Sequence, residues 1–403
     1  MSNASQSKAK KIYASLYLDN PTRSAATISS LSTSRRAMQT VKEYDLLNEG
    51  LDGHGDDMKS ERLTPLTKPR SVKRQNGLDQ PKEITQSIRE FDLENGEIYT
   101  IDALRPMETK QFVNLEAYPY VFESDFDVMC WAAALLSESP LAGALIKEAE
   151  ETGWKICLSD LGTGGFHLDV TEKLIEIDHN GLDAASLGKS VFFRSALVTV
   201  MAKALRDIWH ENRWGAFEDD FKAEAVVMLE RARAADADSV AIIIGWELRG
   251  AGYNDIWRHI LGSEDSDMAQ VLTNILERYP TAIYNGMALA HVFRQWYANV
   301  ARIDALDHST LEHMDFAIRD ENMSFGDKNA SALDFENLST LPDGTVYLKE
   351  LGETVSRDPF FNGLNDAINQ AHLFQIVYDS KVTYVDGIPF RDEALARKFF
   401  RAD

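Results

Sequence analysis

The stretch from Arg194 to Trp214, RSALVTVMAKALRDIWHENRW, constrains this chain more than any other. Leu197, Val198, Val200, Met201, Leu205, Ile208 and Trp209 leave almost no side of it polar, and a helix apolar on most sides belongs in an interior. Yet Ser195, Thr199, Lys203, Arg206, Asp207 and His210 recur in steps of three and four, which sets them along one side. A buried helix with such a line needs either partners for each polar group or a site beside it.

The bulk numbers describe a globular protein. The chain has 403 residues, 44% hydrophobic and 26% charged, enough for two or three domains. Crossing a bilayer takes roughly 20 apolar residues in a row. The longest candidate, VFFRSALVTVMAKALRDIW, is broken by Arg194, Lys203, Arg206 and Asp207. The N-terminal stretch has basic residues but no long apolar core after them, so no secretory signal is expected. Cys130 and Cys157 are the only two cysteines and form no CxxC pair, which fits buried thiols in a reducing cytoplasm. Residues 1–110 hold 17 Lys and Arg against 16 Asp and Glu, and the remainder holds 25 against 48. A body this acidic repels a phosphate backbone, so nucleic acid is excluded as its partner.

Residues 1–85 are rich in Ser, Thr, Asn, Gly and charge and show no sustained apolar period, which predicts a disordered or weakly structured arm with at most a short helix near 36–48. Around IREFDLENGEIYTIDAL a small hairpin is expected, and residues 86–154 lead into the core. Ser124 or Asp125 caps a helix that ends before Pro140, and Gly153 closes a second. KICLSD reads as a strand, and FHLDV and LIEID as a hairpin turning through TEK. The central helix runs from about Lys189 to Asn212. EDDFKAEAVVMLERARAADADSVAIIIGWELRGAG is one long helix or a bent pair. NDIWRHIL, SDMAQVLTNILERYP, NGMALAHVFRQWYANVARIDAL and DHSTLEHMDFAIRD are further helices. Residues 321–403 form a helical extension, with helices at FFNGLNDAINQAHLFQIVYD and FRDEALARKFFRA and a strand pair around SKVTYVDGIPF.

Three short stretches stand out: LIEID (Leu174 to Asp178), AKALRDIW (Ala202 to Trp209) and RARAADA (Arg231 to Ala237). In this order, over about Lys155 to Asp315, they resemble an uncharacterised bacterial family of zincin-type HExxH metallopeptidases. That family carries I-x-L-D, A-H-E-L-R-H-A-W and R-A-x-E-A-D-A at the corresponding places. In HExxH, two His one helical turn apart hold one zinc, and the Glu between them activates the bound water. Here every such position departs. Lys203 stands for the first His, Ala204 for the catalytic Glu, Asp207 for the second His, and Ala234 for the Glu ligand of the later helix. An ammonium has no lone pair for a metal. The resemblance therefore implies a degenerate site, with the Lys203 ammonium where the cation sat, Asp207 as its i+4 partner and Asp236 as an acceptor on the facing helix. The plainer alternative is an exposed Lys203–Asp207 pair worth ~0.3–0.5 kcal/mol.

Other candidates have plain readings. His210 sits near a helix C-terminus, where a cation is favourable. His167 and His179 on the hairpin read as solvated residues, or as an improvised metal site with Asp236 or Asp238. GTGG (Gly162 to Gly165) lacks phosphate-loop spacing and reads as a flexible link. Asp236 and Asp238, two apart, are expected to divide between cleft and solvent. Phe293, Trp296, Tyr297 and Val300 form a core stripe backing the central helix.

The expected fold is α+β and mostly helical: a zincin-like domain over 155–320, a small sheet packed on a central helix, with helical extensions and a disordered arm. The expected function is that of a catalytically inactive metallopeptidase-like protein, without cofactor, acting as a protein-binding or scaffolding module. Its peptide cleft would be lined by Lys203, Arg206, Asp207 and Asp236, with His210 and Thr199 beside them. The alternatives are an active zinc hydrolase using His167, His179, His210, Glu211 and Asp236, and a structural subunit of a larger assembly.

Overall fold

A computed structural model describes residues 12–14, 97–104, 121–321, 325–380, 383–385 and 388–390. The expected helices near 36–48 and over 390–402, and the first arm of the hairpin before Tyr99, lie outside them. The fold is α+β and mostly helical.

Strands β1 (Ile12–Ala14), β2 (Tyr99–Thr100), β3 (Lys155–Ser159), β4 (Phe166–Asp169) and β5 (Leu174–Asp178) form a mixed sheet in the order β1-β4-β5-β3-β2. The β4–β5 hairpin turns through Lys173 at φ 49°, and β3 lies parallel to β5. Period-2 alternation buries Ile156, Leu158, Leu168, Ile175 and Ile177 on one face and sets Cys157, Glu176 and His167 in a row on the other. The GTGG segment is pinned rather than loose. Asp178 accepts backbone N–H bonds from Thr163 and Gly164 at 2.6 Å each, Asn180 at 2.7 Å and Leu161 at 3.3 Å. Gly164 meets this geometry at φ 71°.

Helix α1 (Asp125–Leu136) starts at Ser124, which forms a capping box with Asp127. Helix α2 (Pro140–Glu151) starts with Ser139 and Pro140 and gives way to Gly153 at φ 77°. Helix α3 (Ala184–Lys189) leads to α4 (Val191–Trp214), capped by Ser190 and ended at Gly215. Helix α5 (Ala223–Gly250) is one uninterrupted 28-residue element. It packs along α4, and further helices close around it: α6 (Asn254–Leu261), α7 (Ser266–Arg278), α8 (Met287–Trp296) and α9 (Val300–Glu321). That surround explains why α5 is buried on nearly every side. Four short helices follow: α10 (Ala332–Leu338), α11 (Gly352–Arg357), α12 (Pro359–Asn362) and α13 (Ala367–Asp379). The expected C-terminal strand pair is present as β6 (Thr383–Val385) and β7 (Ile388–Phe390).

One expected helix is two. NGMALAHVFRQWYANVARIDAL breaks after Trp296, because Asn299 takes the capping role and accepts from the Arg302 N–H. DHSTLEHMDFAIRD is then not separate but the continuation of α9. Phe293, Trp296 and Tyr297 are buried as expected, while Val300, at the start of α9, is exposed.

Candidate functional site

The polar line of α4 meets a second one on α5, and the two interlock. Lys203, Arg206 and His210 are 9%, 0% and 0% exposed, and Asp236 and Asp238 are 1% and 2%. Burial of this many ionisable groups is tolerated only if each is matched.

Lys203 Nζ lies 2.9 Å from Asp238 Oδ1 and 2.8 Å from Asp265 Oδ2. Asp238 also accepts from the Trp296 indole at 2.8 Å. Asp265 sits just before α7 and faces Arg302 at 3.8 Å. Lys203 is thus buried, and the partners shown for it differ from those expected. Asp207 instead pairs with Arg233, whose guanidinium also reaches the Asp207 carbonyl and Glu211 at 3.3 Å each. Asp238 is not at the surface: two positions past Asp236, it turns to a different neighbour, not to water.

Asp236 is the hub. Its Oδ2 takes Arg206 Nε at 2.5 Å and His210 Nε2 at 2.7 Å, and its Oδ1 takes Arg206 Nη2 at 3.1 Å and the Tyr347 hydroxyl at 2.7 Å. Arg206 Nη2 also donates to the carbonyls of Leu338 and Thr340, which ties α10 to the core. Burial alone would raise the Asp236 carboxyl, but the Arg206 guanidinium and then His210 outweigh it and hold the group at about 2. Burial lowers His210, Asp236 opposes, and the Arg206 and Arg233 charges lower it further. His210 is therefore fully buried and hydrogen-bonded to Asp236, not the helix-end cation expected. Thr199, 8% exposed, turns its hydroxyl back onto the Ser195 carbonyl at 2.9 Å. Arg206, Asp236, His210 and Thr199 thus form the interior of the helix pair and not the wall of an open cleft.

A further pair repeats the arrangement. Arg231 forks onto Asp307 of α9 at 2.5 and 2.6 Å and reaches the carbonyls of Phe361 and Gly363. Glu230 and Glu218 are also buried, and Glu230 Oε1 and Glu218 Oε2 have no hydrogen-bond partner among the described residues. Burial lifts the Glu230 carboxyl to about 8, with Arg233 opposing and Glu218 adding to the rise.

The positions matched to HExxH do not suit zinc. Lys203 brings an ammonium, Ala204 and Ala234 bring no donor atom, and the Asp207 carboxylate lies against a guanidinium. The histidines of the shifted-site alternative lie apart: His167 Nδ1 bonds Glu176 at 2.7 Å on the sheet, His179 occupies the turn after β5, and His210 is on Asp236. Among the described residues no group of three or more His, Cys, Asp or Glu is arranged to hold a metal ion. Cys130 and Cys157 are free thiols, and burial pushes both up to about 11.

Sequence reasoning missed Asp265, Tyr347, Trp296, Arg233 and the Arg231–Asp307 pair as members. The signal available was the composition of RARAADAD: charges at every second or third position of an alanine-rich helix allow no polar outer face, so such a helix lies inside with its charges matched.

An open cleft of about 730 Å³ lies elsewhere, where the C-terminal end of α4 meets α5 and α10. Trp214, Phe217, Phe221, Leu229, Lys328 and Asp334 border it. No described helix is long and apolar enough to cross a membrane.

Compared with known proteins, residues 132–348 match the model of the Putative metallopeptidase family (DUF6782), over half of the chain. No curated protein and no solved structure matches.

Proposed function

We propose that this chain, which belongs to that metallopeptidase family, works as a non-enzymatic binding or scaffolding module whose central helix has given up zinc-water hydrolysis. The reading rests on one observation: the Lys203 ammonium is held between Asp238 and Asp265 at 2.9 and 2.8 Å. A cation covalently part of the fold fills the charge requirement that a divalent ion meets in an HExxH enzyme. The neighbouring residues support the reading. Ala204 offers no general base, and Asp236 is saturated by Arg206, His210 and Tyr347. Buried, unpaired thiols suit a cytoplasmic home.

The test is elemental analysis of the purified full chain together with a casein-hydrolysis assay. The expected result is substoichiometric zinc and no hydrolysis. Stoichiometric zinc that disappears in His210→Ala or Asp236→Ala would overturn the reading and favour the shifted-site hydrolase.

A further inference from the structure

The cleft beside Trp214 is separate from the buried charge network and has a chemistry of its own. One wall is aromatic: Phe217 is buried, Phe221 is partly covered, and Trp214 is 39% exposed. The lining also includes Asp220, Asp327 and Asp334. The lining is built, not loose. Phe221 and Lys328 form a parallel bridge, Lys222 N–H donates to the Lys328 carbonyl at 2.9 Å, and Lys328 N–H donates to the Asp220 carbonyl at 3.2 Å. Gly326 lets the two stretches approach, since a Cβ there would collide with the Asp220 backbone.

The cleft already shows what it accepts. Lys328 Nζ sits 3.0 Å from Asp220 and 5.9 Å from the Phe221 ring centroid, one ammonium on one carboxylate and one aromatic face. Asp327 and Asp334 have no Lys or Arg partner among the described residues. Asp334 also accepts from the Ser331 N–H at 2.7 Å and the Ser331 hydroxyl at 2.6 Å. The lining thus holds three carboxylates against one lysine, on a body rich in acid. A volume of about 730 Å³ suits a few side chains, not a domain.

We propose that this cleft docks a short basic peptide segment of a partner protein, seating a Lys or Arg side chain against Trp214 with its charge toward Asp327 and Asp334. The inference deepens the reading of the chain as a binding module and rests on it. Acidic segments are repelled by the carboxylates in excess over Lys328, and the exposed indole adds affinity for a flat guanidinium.

Fluorescence anisotropy of the full chain with a labelled 12-residue peptide carrying four arginines tests it, with the Arg→Glu version as control. Trp214→Ala and Asp327→Lys change exposed residues, so both are expected to fold, which circular dichroism checks. Each is expected to weaken binding about tenfold or more, about 1.4 kcal/mol. Glu151→Lys, on the exposed end of α2, is expected to leave it unchanged. The proposal is overturned by an absence of binding, by binding that ignores both cleft variants, or by an equal loss in Glu151→Lys, which would mark general attraction to an acidic surface. Mass analysis of the recovered peptide separates the two readings. Cleavage sinks the non-enzymatic function and leaves docking standing, whereas an intact peptide that ignores the cleft variants sinks docking alone.

Discussion

Tyr347 and Asp236 are 111 residues apart in the chain, yet the phenol donates to Asp236 Oδ1 across 2.7 Å, both groups buried. The hydroxyl is one of three groups on that carboxylate, beside the Arg206 guanidinium and the His210 ring. Tyr347→Phe is therefore expected to cost about 1.5–3 kcal/mol, the range for a hydrogen bond to a charged group. Asp236→Ala strands the Arg206 charge and is expected to cost more, about 3–5 kcal/mol. Urea unfolding ranks the two, and equal losses would contradict the hub role of Asp236.

Lys203 faces two carboxylates at once. In Lys203→Met, Asp238 and Asp265 are left buried with like charge, and a loss of about 3–5 kcal/mol is expected. Adding Asp265→Asn removes half of that conflict and is expected to recover part of the loss. A double-mutant cycle reads the coupling, and strict additivity would show that the pair does not interact.

Two buried carboxyls set opposite pH trends. Glu230 is raised from 4.5 to about 8, so the folded state binds the extra proton between those values. Stability from this group is complete below about 4.5 and is lost as pH rises through about 8, with a slope of at most about 1.4 kcal/mol per pH unit. Glu230→Gln is expected to flatten the stability profile between pH 5 and 8. Asp236, lowered from 3.8 to about 2, contributes fully above its unfolded value and loses that contribution as pH falls through about 2. Chemical denaturation at pH 5, 6.5 and 8 checks the Glu230 part, and an unchanged slope in the Gln variant would refute it.

Two glycines separate backbone need from mere tolerance. Gly286, at φ 77° before α8, has Tyr347 Cβ 2.7 Å from where its own Cβ would stand, so Gly286→Ala is expected to destabilise by about 1–3 kcal/mol. Gly250, at the end of α5, has nothing within 4 Å of that point. Gly250→Ala is expected to be neutral or stabilising by up to about 1 kcal/mol. Melting temperatures of the two variants make the comparison.

The helices and the hairpin were legible because their signals are local. Ser124 and Pro140 bracket α1, Gly153 follows α2, and FHLDV and LIEID alternate as half-buried strands do. The buried character of α4 was legible from its composition. Its partners were not. Same-face spacing on a single helix suggests Lys203 with Asp207, but in the fold each finds a nearer group on another element: Asp265 lies 62 residues beyond Lys203, and Arg233 lies 26 beyond Asp207. Sequence spacing carries no record of such distances. The break at Asn299 was missed because YAN continues an apolar helical period while also offering a cap.

The ion pairs between α4 and α5 act as a key cut to one depth. Sliding one helix past the other by a turn, about 5.4 Å, would detach Arg206 from Asp236, Lys203 from Asp238 and Arg233 from Asp207 in a single movement. Apolar side chains alone would forgive such a slip, since one methyl group is much like the next. Here the interior has a single admissible alignment, so any motion this protein uses in its work has to arise outside the central pair, at the ends and loops around it.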